Sequence, residues 1–165
     1  MSGQAETLVT PEMERDRGVW DEPRSSYPIS ESDIRRWAIA VYWGETPPRL
    51  FWDADYAGGT RWGGIVAPED FNPFAWPVPM EQAKPPGAVA GETPKQGQNV
   101  LNGGQSDTFG ARMRPGDVIT TRTRLSHWEE RQGRNGLTLY TYMETEWRNQ
   151  HDEVVKTRVW TLIRY

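Results

Sequence analysis

Apolar positions first fall into a sustained period at Ile34, Trp37, Ala38, Val41 and Tyr42, the i, i+3, i+4, i+7, i+8 spacing of one helix face. The pattern predicts an amphipathic helix over about 31–43. Ser30 stands as its N-cap with Asp33 three residues on, close to a capping box, and Gly44 sits where a left-handed C-terminal residue belongs. Residues 44–68 read as a connection punctuated by Gly and Pro, with one short helical piece at Asp53–Ala57 ahead of Ile65-Val66-Ala67-Pro68. Beyond a weaker strand at Val100–Phe109 the period changes to two. Ile119, Thr121, Thr123 and Leu125 share one face of a strand; Leu137, Leu139, Thr141, Met143, Thr145 and Trp147 share one face of the next; Val155, Thr157, Val159, Thr161 and Ile163 continue in the last. The opposite faces carry Arg122, Arg124, Tyr140, Glu144, Glu146, Arg148, Lys156 and Arg158. Turns at Arg114–Asp117, Gln132–Gly136 and Asn149–Asp152 separate these runs, so they form an antiparallel meander with one buried and one wet face.

Two stretches lack such a period. Residues 1–26 mix charges with Pro11, Gly18 and Pro23 and are expected to stay outside the fold as a flexible or weakly docked tail. Residues 77–98 hold Pro at 77, 79, 85, 86 and 94 and Gly at 87, 91 and 97, which exclude a long helix or a central strand, so they are expected to form a long loop. Loops of that length in compact domains are more often functional or disordered than neutral. Residues 27–165 are then a single domain.

Composition narrows the function more than the fold. The 165 residues are 36% apolar and carry nine Trp, so a core can be built largely from aromatic area. A net charge of −4 argues against bulk binding to nucleic acid or an anionic membrane. The chain has no Cys, which removes disulfides, thiolate catalysis and Cys-type metal sites together. Its two histidines, His127 and His151, have no metal-ligand spacing and read as solvated strand-end residues, and no Gly-rich phosphate loop is present. No apolar run approaches the roughly 18 residues that span a bilayer, and Met1–Thr10 lacks a signal-peptide layout, so a cytoplasmic protein is expected. Two clusters are left. Arg112, Arg114, Arg122 and Arg124 either clamp phosphates such as those of coenzyme A, with forked donors, or pair with Glu144 and Glu146 on a solvated sheet face. Trp43, Phe51, Trp52, Trp62, Phe71, Phe74 and Trp76 either line an apolar channel or serve as core and subunit interface.

One short helix, a Gly-Glu turn with Pro47-Pro48, then Gly63-Gly64-Ile65-Val66-Ala67-Pro68, Arg114-Pro115-Gly116-Asp117-Val118 and Glu144-Thr145-Glu146-Trp147-Arg148-Asn149-Gln150 follow one another in an order that resembles the MaoC-like hydratase/dehydratase family. Within it the chain is similar to the N-terminal, fatty-acid-synthase-type dehydratase half, from about Tyr27 to Tyr165. The resemblance implies an α+β hotdog: a long antiparallel sheet wrapped on a short central helix, with helix 31–43 at its edge and a second hotdog paired beside it. Catalytic members carry Gly-Asp-x-Asn-Pro-apolar-His-x-Asp after the first helix. Here that stretch is Gly44-Glu45-Thr46-Pro47-Pro48-Arg49-Leu50-Phe51-Trp52-Asp53, which puts Glu45, a vestigial acid–base candidate, on the Asp position and Phe51 on or beside the His. The second landmark, apolar-Ala-His-Gly, is Ile65-Val66-Ala67-Pro68, and Pro68 has no N–H for a thioester oxygen. Asp70-Phe71-Asn72-Pro73 echoes the first motif but lies on the hotdog-helix segment, where Asp70 is expected near a helix N-terminus.

The family reading is therefore a non-catalytic subunit of a heteromeric enoyl-thioester hydratase, or 3-hydroxyacyl-thioester dehydratase. Trp43, Phe51, Trp52, Trp62, Phe71 and Trp76 would shape its acyl pocket, loop 77–98 would cover it, and a catalytic hotdog partner would supply Asp and His. The substrate would be a coenzyme A or acyl-carrier thioester, with no resident cofactor or metal. Two alternatives stand: a homodimeric acyl-thioester binding or regulatory module without chemistry, and a cone-shaped α+β fold of the kind found in small-molecule dehydratases and oxygenase β-subunits.

Overall fold

The computed structural model describes residues 7–74, 99–134 and 136–165. Trp76 and the loop expected at 77–98 lie outside the described residues. Helices α1 (Pro11–Asp16), α2 (Glu31–Val41) and α3 (Ala54–Gly58), and a single 3-10 turn at Arg49–Phe51, accompany strands β1 (Arg24–Ser25), β2 (Val100–Phe109), β3 (Thr120–Gly133), β4 (Gly136–Arg148) and β5 (Val154–Arg164). The strands form one antiparallel sheet in the order β1-β3-β4-β5-β2.

The helix starts where its cap was expected. The Ser30 hydroxyl accepts from the Asp33 N–H at 3.1 Å, and the Asp33 carboxylate accepts in return from the Ser30 N–H at 3.3 Å. Gly44 takes φ +89° just beyond the helix. Ile34 and Ala38 on its inner face are buried with Phe51, Ala57, Ile65, Val66, Ala67 and Phe71, and this layer packs on Met113, Ile119, Trp147 and Val155 at one end of the sheet. The Arg114–Asp117 turn fastens that end. The Asp117 carboxylate accepts from the Arg114 N–H at 2.7 Å and from the Gln150 amide at 3.0 Å, and the Asp117 carbonyl accepts from the Ile29 N–H at 2.9 Å. Buried Asp117 thus ties its own turn to the β4–β5 turn through its carboxylate and to the segment before α2 through its carbonyl, so each of these buried polar groups has a partner.

Three expectations need correcting. Residues 65–74, where a central helix was expected to begin, hold no helix; Asp70 caps nothing and accepts instead from the Trp37 indole N–H at 3.3 Å. Residues 7–26 are not outside the fold but run along the free edge of β3. The Gly18 N–H donates to the Leu125 carbonyl at 2.7 Å, Asp21 exchanges bonds with Thr123, and Ser26 does so with Ile119. The Trp20 ring lies 4.5 Å from the Arg122 guanidinium and 4.3 Å from that of Arg124. This attachment uses backbone edge bonds and cation–π contacts, neither of which leaves a hydrophobic period in the sequence. Finally, the two faces of β5 are exchanged. A register shift at Trp147/Arg148 sets Trp147 opposite Lys156 and Thr145 opposite Arg158, so Lys156 and Arg158 share the inner face with Trp147. Thr157, Val159, Thr161 and Ile163 lie with Glu146, Glu144, Tyr142 and Tyr140 on the other.

Candidate functional site

Strand β2 contains the device that shapes the inner face beyond the helical layer. Between Asn102, opposite Leu162, and Gln105, opposite Trp160, β2 uses one residue more than β5. The extra residue is accommodated at Gly103-Gly104, with Gly104 at φ +99°, and the Gly104 N–H donates to the Asn102 side-chain oxygen at 2.9 Å. Without the bulge, positions three apart would face opposite sides; with it, both carboxamides stand on the inner face. They line a hollow of about 400 Å³ with Thr145, Trp147, Arg158, Trp160 and Leu162.

Its charged wall is a fork. Arg158 Nε and Nη2 each donate to Asp107 at 2.7 Å, which holds the Asp107 carboxyl below its usual range and raises Arg158. Behind this pair Lys156 is only 4% exposed, its Nζ 4.4 Å from the centre of the Trp147 ring. Burial, reinforced by the neighbouring Arg158, pushes its pKa below the ordinary lysine value, against the pull of Asp107 and Asp70. On the other side of Trp147 and Thr145 a second hollow of about 430 Å³ includes Asn72, Phe74, Thr121 and Thr123.

The residues singled out from sequence are not gathered here. Phe51 and Phe71 are buried in the helical core, Phe71 edge-on to Trp37 at 5.6 Å. The Trp52 indole donates to the Pro47 carbonyl at 2.9 Å. Trp62 packs beside the core under Arg61 and Arg112, and Trp43 is 86% exposed. Arg112 is paired with Glu69 at 2.9 Å, and Arg114 donates to the Trp62 carbonyl at 2.7 Å. Arg122 pairs with Glu146 at 2.9 Å and Arg124 with Glu144 at 2.6 Å, across β3 and β4. The four arginines are therefore split between two places, three of them in ion pairs and Arg114 on a backbone carbonyl. Arg148 also reaches Glu146, and these hydrogen bonds keep the Glu146 carboxyl below its usual range. Asn102, Gln105 and Arg158 were missed as pocket residues. The paired glycines inside a strand pattern signalled the bulge, whereas the parity of Arg158 was hidden by the register shift.

At the positions where the resemblance places acid–base groups, there is no acid–base pair. Phe51 is 8% exposed within the apolar core, and Glu45 is exposed in the turn after α2. The Ala67 N–H donates to the Met113 carbonyl at 2.8 Å, and the next residue is Pro68. His127 is on β3, stacked on Tyr142 at 4.2 Å, and His151 is in the β4–β5 turn, 3.2 Å from the Gln150 amide. Among the described residues, no group of three His, Asp or Glu side chains is placed to hold a metal, and no helix is long and apolar enough to cross a membrane.

Comparison with known proteins follows the same line. The family model described as the FAS1-like dehydratase domain region matches residues 16–158. The ChsH1–ChsH2 complex from Mycobacterium tuberculosis contains a chain 18% identical, with a TM-score of 0.63 and 89% of each chain covered. The HadBC (3R-hydroxyacyl-ACP dehydratase) complex from the same organism gives 18% identity and a TM-score of 0.59, over 90% of this chain and 96% of the other. A MaoC-like dehydratase from Rhodospirillum rubrum gives 14% and 0.55, over 87% and 90%. No curated protein matches the sequence. These likenesses establish the fold as a hotdog and leave the cone-shaped alternative without support.

Proposed function

Since the chain belongs to the FAS1-like dehydratase family, a MaoC-like group, we propose that it is the non-catalytic subunit of a heteromeric enoyl-thioester hydratase, or of the reverse 3-hydroxyacyl dehydratase. The observation that carries this reading is the state of the two family landmarks. At the first, Phe51 inside the core stands where the His belongs and leaves Glu45, exposed in the turn after α2, without a partner base; at the second, Pro68 lacks an N–H while that of Ala67 donates to the Met113 carbonyl. Water addition across an enoyl thioester needs a base to activate the water and an acid to deliver a proton to the α-carbon. No such pair comes from these positions, so the pair is assigned to a partner hotdog.

What this chain supplies is an edge and a wall. Among the described residues β2 has a strand neighbour on one side only, and Val100, Leu101 and Phe109 along it are 47%, 52% and 41% exposed. A bare edge with apolar side chains favours strand addition, whereas the β3 edge is occupied by residues 17–26. The partner is therefore assigned to β2. The acyl part of a coenzyme A or acyl-carrier thioester would lie on the inner face of this chain, with no resident cofactor, and the complex would work in the cytoplasm beside its thioester substrates.

Turnover decides it. The chain purified alone should hydrate crotonyl-CoA or longer enoyl-CoA thioesters at the background rate. The complex recovered with it from its host should do so at enzymatic rates and contain a second hotdog chain with the Asp/His motif. Turnover by the chain alone, or recovery only as a homodimer, would overturn the assignment.

A further inference from the structure

The hollow between β2, β4 and β5 is built for more than hydrocarbon. We propose that it receives the far end of the acyl group, and that this end is a ring carrying a neutral oxygen that accepts hydrogen bonds. The inference rests on the thioester reading above and adds to it the class of acyl group.

Three observations carry it. The first is the bulge. Gly103-Gly104 turns the Asn102 and Gln105 carboxamides onto the same side, where both border the hollow. The second is the donor inventory. Asn102 has its oxygen committed to the Gly104 N–H, which leaves its NH₂ group; Arg158 gives Nε and Nη2 to Asp107, which leaves Nη1; Gln105 adds a carboxamide, and the Thr145 hydroxyl, which shares one hydrogen bond with that of Thr123 at 3.1 Å, has capacity for a second. An alkyl end would strip water from these groups and return nothing, whereas an oxygen replaces the water's bond. The third is the shape and charge of the walls. Two indoles, Trp147 and Trp160, with Leu162, offer flat apolar surface around an open hollow of about 400 Å³ rather than a narrow tunnel, which suits a ring. Among the described residues Arg158 is the one charged side chain lining the hollow and is paired with Asp107 at 2.7 Å, so no net positive charge is left there to favour a carboxylate. The oxygen is accordingly a ketone or hydroxyl.

The test uses the chain in the oligomer it forms in its host and three saturated thioesters, which bind without being hydrated: oxocyclohexyl-propanoyl-CoA, cyclohexyl-propanoyl-CoA and nonanoyl-CoA. Isothermal titration should show the keto ring binding about 10- to 100-fold more tightly than either hydrocarbon. Gln105→Leu should remove most of that preference, weakening the keto ring's binding while that of cyclohexyl-propanoyl-CoA stays the same or tightens. Thr145→Val is measured in parallel, so that an unfolded first variant, identified by its melting curve, does not decide the matter; it should narrow the preference in the same direction. Equal affinity for the three thioesters, or a keto preference that survives in the folded variants, would overturn the pocket assignment and leave the subunit reading intact. Binding of none of them would remove both.

Discussion

Along the β3 edge the chain uses its own residues to complete the sheet: the Gly18 and Asp21 N–H groups donate to the Leu125 and Thr123 carbonyls, β1 pairs at Thr120 and Thr121, and Trp20 covers two arginines. Along β2, at the other end of the same sheet, exposed Val100, Leu101 and Phe109 border an edge with no strand beside it among the described residues. A long bare edge invites aggregation, so a sheet with one edge closed and the other open among the described residues fits the one-sided association proposed above. Under the proposed assembly the N-terminal segment would act as a selector: among the described residues it leaves β2 as the edge to which the partner's strand would be added.

The largest effect should come from spoiling the exposed edge. Leu101→Lys combined with Phe109→Lys should weaken the proposed complex at least ~100-fold, seen by sedimentation, with the monomer's melting point nearly unchanged because both positions are exposed. Spoiling the closed edge should do the reverse. Asp21→Ala removes the carboxylate that accepts the Thr123 N–H at 2.6 Å and should cost about 1–2 kcal/mol in urea unfolding, leaving partner affinity as it was. The smallest effect is expected between the edges, at Lys156. Burial holds its pKa below the ordinary lysine value, so the folded chain binds this proton less tightly than the unfolded chain does. The resulting penalty is full below the folded pKa and is relieved as pH rises toward the unfolded value near ~10.4. Lys156→Met keeps the stem, loses the cation–π contact with Trp147 and removes the penalty. Its stability near neutral pH should stay within about 1 kcal/mol of wild type, and the alkaline gain of the wild type should vanish from pH-dependent melting.

How much of this was legible in the sequence depends on how each region is held. Helix α2 was readable because Ile34 and Ala38 bury one face and Ser30 with Asp33 close its first turn, all local signals. The meander was readable from its period, and the missing acid–base pair from residue identity, since Phe51 cannot exchange protons wherever it is placed and Pro68 has no N–H to donate. The parity of β5 was not, because the shift near Trp147 exists only in its pairing with β4. Nor was the N-terminal attachment, whose bonds run between backbone groups and through the Asp21 carboxylate and Ser26 hydroxyl and leave no hydrophobic period. The hollow was half-legible: Gly103-Gly104 announced a bulge, but its meaning depended on Trp160 and Leu162 lying opposite.

Hydrogen exchange of the chain alone and in the complex recovered from its host tests the difference between the edges most directly. The account predicts new protection in residues 100–109 on assembly, with residues 120–126 already slow in the isolated chain and unchanged. Protection arriving at β3, with β2 still exchanging freely, would contradict it.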